Sequence, residues 1–403
     1  MKVTYLCSLV FVLCCLFDKT LTDAQEITPI VIVPGIGGSQ INAKLNKSSS
    51  KHIYCYKSSS DWFTIWLSIE ELLPWAKDCW VENFKLQWNE ENGRMENVPG
   101  VFTQCPDFGN TTAIEWLDPS VHGPGVYFYP LVNGLVKKFG YVRGKTLRAA
   151  PYDFRYDPGS ADFYMLRLQN LIEETYKDNG NRKILLLSHS MGAPYTLHFL
   201  HGASQEWKDK YIKSWFTVSG TYAGSTKALK AYISGDGFGI PSVLDEPLML
   251  RRFQKTFSSL FYIFPDPSFW PKDMVVVKTL NATYTINEYE NLFQDLRDPI
   301  SSKVLKSVPK SWNDTAPGIK VYCVHGTDVP TSEVLTYGDN FPDATPTITT
   351  GDGDGTVNHR SLEACKRWNG NSDVTYKTIK GASHNGILGD PKLLDFMKEA
   401  LFE

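Results

Sequence analysis

Hydrophobic positions along the chain fall into short continuous runs separated by segments of helical spacing. Ile30 to Val33 is fully apolar, as expected of a strand buried on both faces. It ends in Pro34-Gly35-Ile36-Gly37-Gly38, a composition suited to tight backbone turns. Tyr127 to Gly140 reads as a helix, and TLRAAPYDFRYDP opens as a strand and then turns. Ala161 to Tyr176 sets Phe163, Leu166, Leu168, Leu171 and Ile172 at helical intervals. Lys183 to Leu187 predicts a strand, Met191 to Leu200 a helix and Ser214 to Ser219 another strand. Late in the chain, IKVYCVHGTDVP and VTYKTIKGASHNGIL each read as strand then loop, TGDGDGTV as a loop, and Leu393 to Leu401 as a terminal helix. Strands alternating with helices predict an α/β architecture with a parallel sheet between helices.

Two stretches break this rhythm. Residues 48–85 begin serine-rich and continue as DWFTIWLSIEELLPWAKDCW. The spacing there predicts an amphipathic helix with a wide apolar face. It suits either a core helix or a membrane-touching element. Trp rings, apolar with one polar tip, suit the second, with Trp62, Phe63, Trp66, Leu67, Leu72, Leu73 and Trp75 as the contacts. Residues 222–317 are rich in Phe, Tyr, Pro and Gly and are expected to form a cap inserted into the sheet domain.

Composition narrows the picture. A formal net charge of −3 leaves no nucleic-acid footprint. MKVTYLCSLVFVLCCLF followed by Thr22-Asp23-Ala24 has the pattern of a signal peptide over residues 1–24. As a membrane anchor the run is short, so residues 25–403 are expected to form a soluble domain. Three of the eight cysteines lie in that leader. Sequence order pairs Cys55 with Cys79 and Cys323 with Cys365 and leaves Cys105 over, though order alone does not prove a pairing. Sequons at Asn46, Asn110, Asn281 and Asn313 fit a glycoprotein of the secretory route. Eight added protons on the eight histidines would carry the net charge from −3 to +5 in acid, favouring anionic membranes.

The candidate chemistry centres on ILLLSHSMGAPYTLHF. Serine is a poor nucleophile unless a histidine takes its proton and a carboxylate fixes that histidine's tautomer. A small-x-Ser-x-Gly turn between strand and helix is where α/β-hydrolases place such a serine. Ser188 occupies the first small position, where smallness rather than glycine is required, so Ser190 is the expected nucleophile. Pro194 falls in the first helical turn, where a missing N–H is harmless. The base in this fold follows the serine in the chain. His52 and His122 precede it, His189 adjoins it, and His198 and His201 lie on its helix. Of the remainder, His384 follows a late strand and precedes the last helix, the position expected of the base. The spacing leaves two acids open, Asp328 and Asp354. GDGDG also admits a calcium-loop reading, although the EF-hand spacing and terminal Glu are absent. Backbone N–H groups of Ile36 and Met191 are the expected oxyanion donors.

IVIVPGIGGSQINAKLNK, FTIWLSIEELLPWAKDCW, APYDFR, HSMGAPYTLHFL, EWKDKYIK, GTDVPT and GDGDGTVN together resemble the lecithin–cholesterol acyltransferase family, most closely its lysosomal phospholipase A2 branch. The resemblance runs from about Ile30 to the end of the chain. It implies an α/β-hydrolase core, a membrane-binding subdomain closed by a disulfide, a cap, and a Ser190, Asp354, His384 triad without metal or other cofactor. It implies the pairs Cys55–Cys79 and Cys323–Cys365. It also implies a phospholipid surface as partner, a monomer, and transfer of an acyl group to water or a lipid alcohol such as ceramide. The destination would be the lysosome or the extracellular space. The family's other branch, a secreted phosphatidylcholine–sterol acyltransferase, is the alternative. Ile36 stands where the lysosomal branch has an acidic side chain, and Gly220-Thr221-Tyr222-Ala223-Gly224 where the family has Ala-Pro-Trp-Gly-Gly.

Overall fold

The computed structural model describes residues 27–70, 73, 76–120, 123, 125–237 and 246–402. The expected signal segment 1–24, and Leu72 and Trp75 among the expected membrane contacts, lie outside the described residues.

Six strands form the central sheet: β1 (Ile30–Val33), β2 (Leu147–Ala149), β3 (Ile184–His189), β4 (Ile212–Val218), β5 (Val321–Thr327) and β6 (Val374–Lys380). Their spatial order is β6-β5-β4-β3-β1-β2, and every neighbouring pair is parallel. Ile30 to Val33 and Ile184 to Leu187 are wholly buried, because a parallel strand covered on both faces has no wet side. β1 continues toward β2 on one side, whereas β3 continues toward β4 on the other. A crevice therefore opens at the carboxyl ends of β1 and β3, the usual ligand position in open α/β sheets.

Helices Tyr129–Phe139, Asp162–Asp178, Gly192–Gly202 and Pro391–Phe402 follow the predicted segments closely. The first ends on Gly140 at φ 72°, a left-handed cap that glycine adopts without strain. Phe163 and Leu166 lie in the second of these helices, as their spacing predicts, but not on its buried face. Both are exposed, and the buried stripe of their helix is Tyr164, Leu168, Leu171, Ile172 and Thr175.

The Trp-rich stretch is not one helix. Phe63–Trp66 is a strand paired antiparallel with Ile41–Leu45, which pairs on its other side with Val101–Gln104. Among the described residues of the stretch, an α-helix runs from Lys77 to Phe84. The backbone partner offered by Ile41–Leu45 overrides the helical spacing. Trp66 and Leu67 are buried, which removes both from the expected membrane contacts. The Trp66 ring stacks on Trp80 and Phe84, and its Nε1–H donates to the Gly37 carbonyl at 2.9 Å. The segment 222–317 contributes helices, among them Thr226–Ser234, Pro247–Gln254 and Pro299–Ser307. Its strand Val275–Lys278 pairs with Thr331–Thr336, so this layer extends beyond residue 317.

Candidate active site

β3 delivers Ser190 at φ 57°, a left-handed conformation costing a non-glycine residue ~1–2 kcal/mol. Three backbone bonds hold it there. Ser190 N–H donates to Val218 O, and Ser190 O accepts from the N–H groups of Ala193 and Thr221. The turn packs so tightly that a Cβ at Gly192 would lie 2.4 Å from Pro34 O, and one at Gly35 would lie 2.6 Å from Ser190 Cβ. Position 188 is different. Ser188 Oγ accepts a 2.7 Å hydrogen bond from buried Trp215 Nε1, so the hydroxyl satisfies an indole that glycine would leave without a partner.

His384 arrives on the loop after β6. Its Nε2 lies 2.9 Å from Ser190 Oγ and its Nδ1 lies 2.7 Å from Asp354 Oδ2. Asp354 is fully buried. Its other oxygen accepts from the N–H groups of Val357 and Thr356 at 2.8 and 3.1 Å. Burial alone would raise its pKa. The neighbouring His384, that hydrogen bond and the two N–H donors outweigh burial and hold it below the ordinary carboxylate value. Asp328, the other acid left open by spacing, points elsewhere: it sits at φ 61° and pairs with Lys380 at 3.5 Å near the surface. The GDGDG carboxylates are turned toward N–H donors rather than gathered round a cation, since Asp352 Oδ1 accepts from Asp328 N–H at 2.8 Å. Among the described residues no His, Cys, Asp and Glu cluster is arranged to hold a metal ion.

A cavity of about 50 Å³ opens on Ser190 and His384, lined also by Ile36, Gly37, Leu117 and Thr356. It admits a reacting carbonyl group but is far smaller than the ~300–1,000 Å³ of typical ligand pockets. Ile36 and Met191 flank the serine from the β1 loop and the elbow, and no backbone carbonyl among the described residues takes either N–H. Tyr222 lies outside this cavity. Its ring is buried among Trp215 and Trp368, and its hydroxyl bonds Thr217. A serine held against an imidazole that is itself oriented by a buried carboxylate is suited to nucleophilic attack on an ester.

Two residues in the site were not predicted. His189 Nδ1 lies 2.5 Å from the Tyr127 hydroxyl, and His189 Nε2 lies 2.9 Å from the His384 carbonyl. A histidine at the end of a wholly buried strand must find partners for both ring nitrogens, which is the one signal the sequence offered.

Elsewhere, Cys55 is bonded to Cys79 and Cys323 to Cys365, while Cys105 is free. Asn46, Asn110, Asn281 and Asn313 are all exposed. Trp62 is 40% and Leu73 37% exposed, and Phe63 is half-buried. Ile53, Tyr54 and Tyr56, beside Cys55, are exposed as well and were not singled out from the sequence.

The family described as "Lecithin:cholesterol acyltransferase" matches residues 62–313 and 299–391. The chain belongs to this family. Within its reach, the "Lysosomal phospholipase A and acyltransferase" of Rattus norvegicus is 37% identical over 98% of this chain and 95% of its own length. The "Phosphatidylcholine-sterol acyltransferase" of Gallus gallus is 38% identical over 92% of this chain and 90% of its own length. Among solved structures, the chain resembles one titled "The crystal structure of Tle4-Tli4 complex", with TM-score 0.53 and 13% identity over 91% of this chain and 96% of that one, a likeness of fold. The fold is that of the α/β-hydrolases.

Proposed function

We propose that this protein cleaves an acyl ester of a phospholipid through Ser190 and passes the acyl group to water or to a lipid alcohol. The observation that carries the reading is the unbroken hydrogen-bond chain Ser190–His384–Asp354 in a family whose relatives are named phospholipases and acyltransferases. Ser190 Oγ attacks the ester carbonyl as His384 Nε2 takes its proton. The N–H groups of Ile36 and Met191 receive the oxyanion. Collapse breaks the ester bond, His384 returns the proton to the leaving oxygen, and lysophospholipid departs from an acyl-serine. Water or an alcohol then attacks that ester with the same proton route in reverse. Asp354 stays ionised and holds His384 with Nδ1–H directed toward it.

The lipid surface is met by the segment around Cys55–Cys79, where Trp62, Phe63 and Leu73, with Ile53, Tyr54 and Tyr56, present apolar side chains. Entry of an acyl chain requires the walls of the small cavity to part, and the layer drawn from residues 222–317 serves as the cap. One chain supplies every group, consistent with a monomer. Exposed sequons and two disulfides favour the secretory route, ending in the lysosome or outside the cell. Ceramide is the acceptor of the first reading, which follows the relatives named "Lysosomal phospholipase A and acyltransferase". A sterol acceptor is the second reading, supported by sterol acyltransferases that match at similar identity.

The test is phosphatidylcholine liposomes containing ceramide or cholesterol, at acidic and at neutral pH, with Ser190→Ala alongside. Fatty acid and acylceramide in acid, absent in the variant, support the first reading. Cholesteryl ester at neutral pH supports the second. Products that persist in Ser190→Ala contradict both.

A further inference from the structure

A chain of hydrogen bonds runs through Tyr127 and His189, which line the same cavity as Ser190 and His384. Gly35 N–H donates to the Tyr127 hydroxyl at 3.1 Å. The same hydroxyl meets His189 Nδ1 at 2.5 Å, and His189 Nε2 meets the His384 carbonyl at 2.9 Å. Only one proton arrangement satisfies all three contacts. A carbonyl oxygen can only accept, so His189 Nε2 carries the hydrogen. Tyr127 then donates to Nδ1, and its oxygen is left to accept from Gly35. The arrangement needs a neutral His189, and a ring 1% exposed in apolar surroundings stays neutral. Gly35 precedes Ile36, and His384 is the residue whose imidazole meets Ser190. The chain therefore joins the two loops that must face each other across the serine.

We infer that Tyr127 and His189 are positioning residues that hold the Gly35–Ile36 loop in register with the His384 loop, and so set where the Ile36 N–H stands relative to Ser190. The inference rests on the acyl-serine reading above. Neither side chain reacts. Each acts through backbone, Tyr127 through the Gly35 N–H and His189 through the His384 carbonyl. Their loops are joined to the sheet by separate strands, β1 and β6, which lie four strands apart in it. Without a bridge, the spacing of donor and base depends on two independent loop ends. Displacement of reacting groups by about 1 Å costs on the order of a hundredfold in rate.

Tyr127→Phe removes the hydroxyl and keeps the ring. On a short soluble ester, kcat of the folded variant is expected to fall roughly 10- to 100-fold. KM should stay within about twofold, and the pH midpoint of kcat/KM should not move, because His384 keeps its carboxylate. Labelling of Ser190 by a fluorophosphonate, whose phosphoryl oxygen takes the same N–H donors, should slow in parallel. His189→Leu removes both ring nitrogens, interrupts the chain at its middle and should give the same pattern, which keeps the test available if Tyr127→Phe folds poorly. A purely structural role would lower stability and leave kcat of the folded fraction intact. Either variant with kcat within about threefold of wild type, or a shifted pH midpoint, overturns the inference. Wild-type labelling that is lost in Ser190→Ala is measured first. Its absence would count against the acyl-serine reading itself, whereas normal labelling with unchanged variants counts only against the bridge.

Discussion

His189 is a histidine that the fold keeps from charging. Burial, and after it the neighbouring His384, lowers its pKa from 6.5 to about 3. Below its unfolded value the open chain binds a proton that the native state refuses, so stability falls as pH drops from about 6.5 toward 3. At pH 5 the cost is roughly 1.5 pKa units, about 2 kcal/mol relative to neutral pH. His189→Gln removes that slope. Unfolding by denaturant at pH 7 and pH 5 should show wild type losing about 2 kcal/mol more than the variant, and equal losses would contradict the account. At this scale the sequence was legible where chemistry dictates residue type. Ser190 and His384 could be named from position along strands. Spacing alone did not separate Asp354 from Asp328, because both follow late strands, and only the family resemblance chose Asp354; what separates them in the structure is direction, as Asp328 turns at φ 61° toward Lys380 while Asp354 lies under His384. Tyr127 was unreadable, since nothing local says that its hydroxyl reaches a histidine 62 positions away.

Elements with their own periodicity were read well, and the element whose partner lies elsewhere was not. The first four residues of β3, Ile184 to Leu187, are apolar and wholly buried, and the turn that follows needs glycine at 192, where a side chain would strike Pro34 O. Phe63–Trp66 has helical spacing around it but becomes a strand because Ile41–Leu45 supplies its backbone bonds. That change of element sorts the aromatic side chains into two groups. Trp66 belongs to the core with Trp80 and Phe84, whereas Trp62 and Leu73 face outward. Trp66→Ala is therefore expected to cost about 3–5 kcal/mol of stability, as for other buried aromatic truncations. Trp62→Ala combined with Leu73→Ala should leave stability and soluble-ester turnover unchanged while weakening liposome binding by roughly tenfold or more. Co-sedimentation with phosphatidylcholine vesicles checks this, and undiminished binding would remove the segment from the docking surface.

The whole molecule brings together groups from widely separated parts of the sequence. Ile36, Ser190 and His384 converge because β1, β3 and β6 run parallel and release their loops at the same end of the sheet, whereas Asp354 follows the strand Thr347–Gly351 and is brought to that end by a backbone bridge to Val329, just after β5. The strand–helix rhythm made that architecture legible. The charge behaviour was not, because a histidine count carries no burial. His189, His198, His201 and His325 are all pushed down by burial, so the swing from −3 to +5 expected of eight free histidines is not reached in mild acid. Attraction to anionic surfaces rests on fewer groups than composition suggests. The central claim is that one acyl-serine at position 190 serves both water and alcohol. The measurement is product partition from phosphatidylcholine vesicles carrying a labelled acyl chain, as ceramide is raised, in wild type and Ser190→Ala. The account predicts that free fatty acid falls as acylceramide rises, that the label is found covalently on Ser190 after acid quenching, and that both products vanish in the variant. Acylceramide that accumulates while fatty-acid release stays undiminished, or turnover that survives Ser190→Ala, would contradict it.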